Sequence, residues 1–154
     1  MLAKPVQFLA ILFMALALVP GGAHLFELSN KIGLGEDAYF AVQQIYAGWA
    51  LFGIVLFGAL TVNLALAIVL RGDRPAFHFA TIGFLAVVAN LAIFFTWTFP
   101  ANQATANWTE VPPNWETLRT QWEYSHAVNA LVTFVGFLSV TLAALTVGNR
   151  DSAR

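Results

Sequence analysis

Cysteine is absent from this chain, and charge is scarce. With no cysteine among the 154 residues, disulfides, iron–sulfur clusters and thiolate zinc sites are excluded. Charged residues make up 10% of the sequence, against about 25% in a soluble domain. A net charge of -1 offers nothing to a phosphate backbone, so nucleic acid is excluded as a partner. What is present is apolar: 59% of the residues are hydrophobic. A compact soluble fold has too little polar surface to cover such a core, so lipid is the expected solvent for most of the chain.

The gaps between charges locate the buried stretches. No charge occurs between Asp37 and Arg71, nor between Arg74 and Glu110. A membrane-crossing helix needs about 20 predominantly apolar residues. Four stretches qualify, about residues 6–25, 47–70, 79–99 and 115–147, the last beginning outside the membrane. Hydrocarbon cannot satisfy free backbone groups, so each stretch is expected to be helical. The expected fold is all-α: one integral membrane four-helix bundle over residues 1–154.

Lysine and arginine set the orientation. One side holds Lys4, Arg71, Arg74, Arg150 and Arg154, and the other only Lys31 and Arg119. Both termini are therefore expected on the cytoplasmic side of a bacterial inner membrane. The start also fits a secretory signal, with "GGA" before His24 as the cleavage site and His24 as the new amino terminus. Removal would leave three helices and misplace the charge asymmetry, so the first segment is expected to remain as a span.

Trp49, Trp97, Trp108 and Tyr124 sit where interfacial aromatic belts form. The stretch "PPNWETLRTQWEYSH" is different. Asn114 is placed to cap a helix starting at Trp115. At 100° per residue Trp115, Arg119, Trp122, Glu123 and His126 fall on one stripe. Polar groups below the interface cost up to about 3 kcal/mol and usually face the bundle interior. The first helix offers a complement, with His24 and Glu27 three apart at the same end, after Pro20-Gly21-Gly22. His24 and His126 are expected at equal depth in one pocket. His78, beside the basic turn on the other side, is expected to take no part.

A Glu-x-x-His pair on bundle helices is half of a di-metal site, but that site needs glutamates from two further helices. The second and third spans supply none; their interior polar groups are Asn63 and Asn90, with Gln43 and Gln44 near the mouth. The set His24, Glu27, Glu123 and His126 therefore leaves three readings: a single metal ion, a haem held by the two imidazoles, or a pocket with neither for an organic ligand. Structural packing alone is the fourth.

"FPANQ" at Phe99 to Gln103, followed by Trp115, Leu118, Arg119, Trp122 and His126, resembles the DUF1772 group of small four-helix membrane proteins. That group includes the anthrone oxygenases of polyketide pathways. The resemblance covers the third and fourth spans, about half the chain, with similar length and topology elsewhere. Family members often carry a basic residue shortly after the histidine, where this chain has Asn129. The resemblance implies that Asn102, Arg119, Trp122 and His126 mark the working face. The expected function is a membrane-embedded, oxygenase-like oxidoreductase acting on an apolar or aromatic small molecule. His126 or His24 would serve as base or ligand, Arg119 and Asn102 would steady developing negative charge, and Trp97, Trp115 and Trp122 would contact the substrate. The rival reading is a non-catalytic accessory subunit bound to other membrane subunits. A transporter ranks third, since four helices would need a homo-oligomer to form one.

Overall fold

The computed structural model describes the backbone of residues 3–152 and the side chains of residues 3–147; the Arg150 side chain and Arg154, counted above for orientation, lie outside the described residues. Six α-helices follow one another: α1 Ala3–Lys31, α2 Glu36–Gln43, α3 Phe52–Leu70, α4 Arg74–Ile93, α5 Phe99–Ala104 and α6 Trp115–Ser152. Two 3₁₀ turns, Gln44–Tyr46 and Trp49–Leu51, lead into α3, and a π turn, Phe94–Thr98, joins α4 to α5. No strand occurs among the described residues. Four segments are long and apolar enough to cross a membrane: Ala3–Lys31, Trp49–Leu70, Arg74–Ala104 and Trp115–Val147. The protein is an all-α bundle with the makeup of a multi-pass membrane protein.

The bundle is a square. α1 packs on α3 and α6, and α4 packs on the same two helices. Successive spans run antiparallel, so residues 71–73 lie at one end, the turn end. Residues 32–48 and 105–114 lie at the other, the loop end. Asp73 closes the turn end by accepting the amide of Ala76, with Pro75 in the first helical turn.

Side-chain size, rather than polarity, separates the inside from the outside. The fully covered positions are largely small, among them Ala10, Ala59, Ala76, Ala80, Ala130 and Ala143, whereas Phe8, Ile54, Phe57, Leu85, Leu131 and Leu145 are exposed. Lipid is as apolar as leucine, so helices associate in it by close van der Waals approach rather than by hiding oily groups. Gly136 shows this: a Cβ there would sit 2.6 Å from Met14 Cε and 2.8 Å from Ala86 Cβ. Gly83 is similar, with Val140 Cγ1 at 2.5 Å from the built position. Polar bonds reinforce the α4–α6 seam, where Asn90 Nδ2 donates to Thr133 Oγ1 at 2.8 Å.

The spans depart from the sequence expectation at the loop end. α1 does not stop at Leu25 but carries His24, Glu27 and Lys31 on one continuous helix. Pro100 does not end the third span. Its missing amide and its ring are accommodated by the π turn just before it, where the Phe99 amide bonds to the Phe94 carbonyl, and the helix resumes as α5. α2 was not foreseen at all. Its eight residues place Tyr39 and Gln43 on one buried face, with Glu36 and Asp37 in the first turn suiting the helix dipole. At the start of α6 it is the Asn114 carbonyl that takes the amides of Thr117 and Leu118.

These lengths create a void. The third span runs 31 residues, while the second, starting beside it at the turn end, runs 22. At 1.5 Å per residue the second falls short by about 13 Å. The α3 corner of the square is thus open at the loop end, roofed by α2, the 3₁₀ turns, Gly48 and residues 107–109.

Candidate functional site

The void is a cavity of about 640 Å³, within the range of small-molecule sites. Most of its wall is apolar, and its polar groups come from α1, α2, α4, α5 and α6 and from the turns at 44–49 and 107–109. Gly21 fixes the geometry. A Cβ on Gly21 would lie 3.4 Å from the Cα of Ala130, so α1 and α6 touch backbone to backbone there. One turn toward the loop end on each antiparallel helix brings His24 opposite His126. Their ring centroids are 4.1 Å apart with planes at 34°.

Aromatic rings cage the pair. Trp122 meets the His126 ring at 4.2 Å and the His24 ring at 4.9 Å, while Tyr46 and Trp49 pack on His24 at 4.6 and 5.6 Å. His24 Nδ1 is buried with no hydrogen-bond partner. Both histidines line the cavity.

The carboxylates belong to another centre. Lys31, 4% exposed, bonds Glu123 at 3.2 Å and Glu27 at 3.4 Å. It also donates to the Tyr46 hydroxyl at 2.7 Å, which in turn donates to Glu27. Tyr39 donates to the other side of this group, at Glu123 Oε1, 2.9 Å away. Burial pushes the Tyr39 hydroxyl above the ordinary tyrosine range, and the neighbouring Glu123 adds to the effect. Burial does the same to Tyr46, with its bond to Glu27 second. Both phenols therefore stay protonated donors. The lysine also sits over the Tyr46 and Trp122 rings, at 4.5 and 5.0 Å.

The four residues of the expected metal set are consequently not gathered round one point. Among the described residues, no group of three or more His, Cys, Asp or Glu stands close enough to hold a metal. Joint axial ligation of a haem does not fit the imidazoles either. With metal–nitrogen bonds of about 2 Å, opposed rings would have centroids about 6 Å apart, not 4.1 Å and stacked.

Asn102 joins the cavity wall to the roof. Its Oδ1 accepts from the indole nitrogens of Trp122 at 2.7 Å and Trp108 at 3.2 Å. Trp108 is not an interfacial belt residue, being 3% exposed. A left-handed turn carries it inward: Ala106, Asn107 and Trp108 have φ of 47°, 58° and 64°. Such a conformation costs about 1–2 kcal/mol per residue. It is held by the Asn107 amide on the Asn102 carbonyl at 2.7 Å, the Trp108 amide on Thr105 Oγ1 at 3.1 Å, and Gln44 Nε2 on the Trp108 carbonyl at 3.1 Å.

Of the residues expected to work together, His24, His126, Asn102 and Trp122 line the cavity. Arg119 does not. It donates to the Leu34 carbonyl at 2.5 Å and stacks on Trp115 at 4.7 Å, and both belong to the lid around Tyr39 and Phe40. Trp97 lies on the outer surface, 48% exposed, with its carbonyl taking the Gln121 amide at 2.7 Å. His78 is exposed at the turn end.

Two polar cavity residues escaped the sequence reading as site groups. Gln43 stands beside the Tyr39 hydroxyl, yet neither its Nε2 nor its Oε1 has a partner at hydrogen-bond geometry. Asn129 Oδ1 is likewise buried and unpartnered. Asn129 lies one turn beyond His126 on the same helix, so the stripe itself held the signal. Lys31 was legible too, four residues past Glu27 and seven past His24, once α1 is continued beyond its apolar part. No family model, characterised protein or solved structure matches the chain.

Proposed function

We propose that this is a membrane-embedded, oxygenase-like enzyme that binds a flat apolar molecule carrying a ring oxygen and removes a proton from it with the His24–His126 pair. The observation that carries this reading is the stacked imidazole pair in the wall of a mostly apolar cavity of about 640 Å³. Two imidazoles in contact offer a base and a neighbour that can share the proton taken. An apolar site raises the strength of each polar contact inside it. Gln43, whose Nε2 is unpartnered, is placed to donate to a substrate oxygen, the role first assigned to Arg119, and the unpartnered Asn129 Oδ1 is placed to accept from a substrate hydroxyl.

The resemblance of the α4–α6 region to the anthrone oxygenases fits this chemistry. In that reaction the methylene across the central ring from the ketone loses a proton, the resulting enolate reacts with dioxygen, and the carbon becomes a carbonyl as water leaves. The chain's part would be proton removal and the holding of the enolate oxygen. Base catalysis of this kind is worth about 10²–10⁴-fold. His126→Ala is therefore expected to lower anthrone oxidation, followed by dioxygen uptake, by at least about 100-fold, while the protein still folds in detergent. His78→Ala should leave the rate unchanged. A His126→Ala protein with full turnover per folded molecule and only a lowered melting temperature would reduce the pair to packing.

A further inference from the structure

The cavity has a wall that is also the outside of the protein. Phe57 on α3 and Phe95 on the π turn line it, and they are 56% and 54% exposed on the surface that faces lipid. Between them α3 offers Gly53, where an added Cβ would meet nothing within 4 Å. The short α3 and the π turn thus leave a gap at bilayer depth, flanked by phenyl rings. The polar groups lie on the far side of the cavity. Gln43, His24 and Asn129 are 4%, 4% and 6% exposed, and each carries an unpartnered polar atom. Buried polar atoms without partners are rare in native proteins and cost about 1–3 kcal/mol each. Four of them, on three residues lining one cavity, point to a ligand that supplies the missing bonds.

We infer that the ligand is an amphiphile dissolved in the bilayer, a flat oxygen-bearing ring system with an apolar tail, entering between α3 and α4 through a lateral portal at Gly53, Phe57 and Phe95. The head reaches the Gln43, His24 and Asn129 groups, and the tail stays in lipid. This deepens the reading above and shares its cavity, but concerns binding rather than turnover. Because lipid is as apolar as the portal, the tail adds no affinity by itself. Its presence is tolerated only where the wall is open.

That property gives the test. The full chain in lipid nanodiscs is titrated with 1,4-naphthoquinone and with 2-decyl-1,4-naphthoquinone, each counted per lipid, and quenching of the cavity tryptophans is read. Both should bind the wild type with similar affinity. Gly53→Phe fills the portal from a position with open space, so it should weaken the decyl compound by at least about tenfold through steric exclusion and leave the tail-less one unchanged. Gln43→Leu removes the unpartnered Nε2 donor that meets a quinone oxygen and, with folding checked by gel filtration, should weaken both. A wild type that binds only the tail-less compound, a Gly53→Phe protein in which the two compounds remain equal, or quenching indifferent to Gln43→Leu would overturn the inference. Binding that follows the expected pattern in a protein that oxidises nothing would sink the proposed chemistry and leave the portal standing.

Discussion

At the scale of single residues, Lys31 is the most consequential side chain that does not touch the cavity. It holds Glu123, which is 0% exposed, and it ties α1 to the start of α6 through an ion pair that water does not reach. The desolvation of two buried charges roughly cancels their attraction, so such a pair adds little net stability, but breaking it leaves a bare charge behind. Lys31→Met is accordingly expected to destabilise the protein by about 3–5 kcal/mol. Adding Glu123→Gln should recover most of that loss, because a neutral amide still accepts from Tyr39 and no longer needs a cation. Thermal unfolding in detergent of the two single variants and the double variant measures this coupling. A Lys31→Met loss below about 1 kcal/mol, the value of an exposed pair, would mean that solvent reaches Glu123 after all. The same network explains why the glutamates are not ligands for the imidazoles. Tyr46 and Lys31 engage Glu27, and Tyr39 and Lys31 engage Glu123, and neither carboxylate lines the cavity, which leaves His24 and His126 as a pair there.

At the scale of elements, the seams are set by glycine and alanine, and two glycines of different surroundings separate packing from backbone entropy. Gly136→Ala would place a methyl 2.6 Å from Met14 Cε and 2.8 Å from Ala86 Cβ. Ala86 is fixed to its helix and cannot swing away, so a loss of about 1–3 kcal/mol is expected. Gly22→Ala meets nothing within 4 Å and should instead stabilise α1 by about 0.5 kcal/mol. Melting temperatures moving in opposite directions would support the small-residue seams, and a neutral Gly136→Ala would refute them. The spans themselves were legible in the sequence, because lipid allows few charges and requires helix, and both constraints are written in composition. Their ends were not. A helix continues past its apolar stretch wherever neighbours satisfy its polar residues, as Lys31 and Glu123 do for each other, and Pro100 reads as a break unless a π turn absorbs it. The His24–His126 pair was legible from period and depth alone. The inward turn of Trp108 was not, since nothing in Ala106-Asn107-Trp108 announces three left-handed residues in succession.

At the scale of the whole molecule, the remaining question is which end faces the cytoplasm. The structure sharpens the charge asymmetry that the sequence counts. At the loop end Lys31 is buried and neutralised by Glu27 and Glu123, and Arg119 is half-buried and bonded to the Leu34 carbonyl. The charges left on that surface are Glu36, Asp37, Glu110 and Glu116, all exposed. At the turn end Lys4, Arg71 and Arg74 are exposed. Exposed lysine and arginine resist translocation, so the turn end is expected inside and the cavity mouth outside. The absence of cysteine makes the test clean, since one introduced thiol is the only one present. Gly72 and Thr109 are exposed at opposite ends. Thr109→Cys should react with a membrane-impermeant maleimide in intact cells, and Gly72→Cys only after permeabilisation. The reverse pattern would turn the cavity mouth to the cytoplasm. The portal, which lies at bilayer depth on the side nearer the loop end, would then draw its ligand from the cytoplasmic leaflet instead of the outer one.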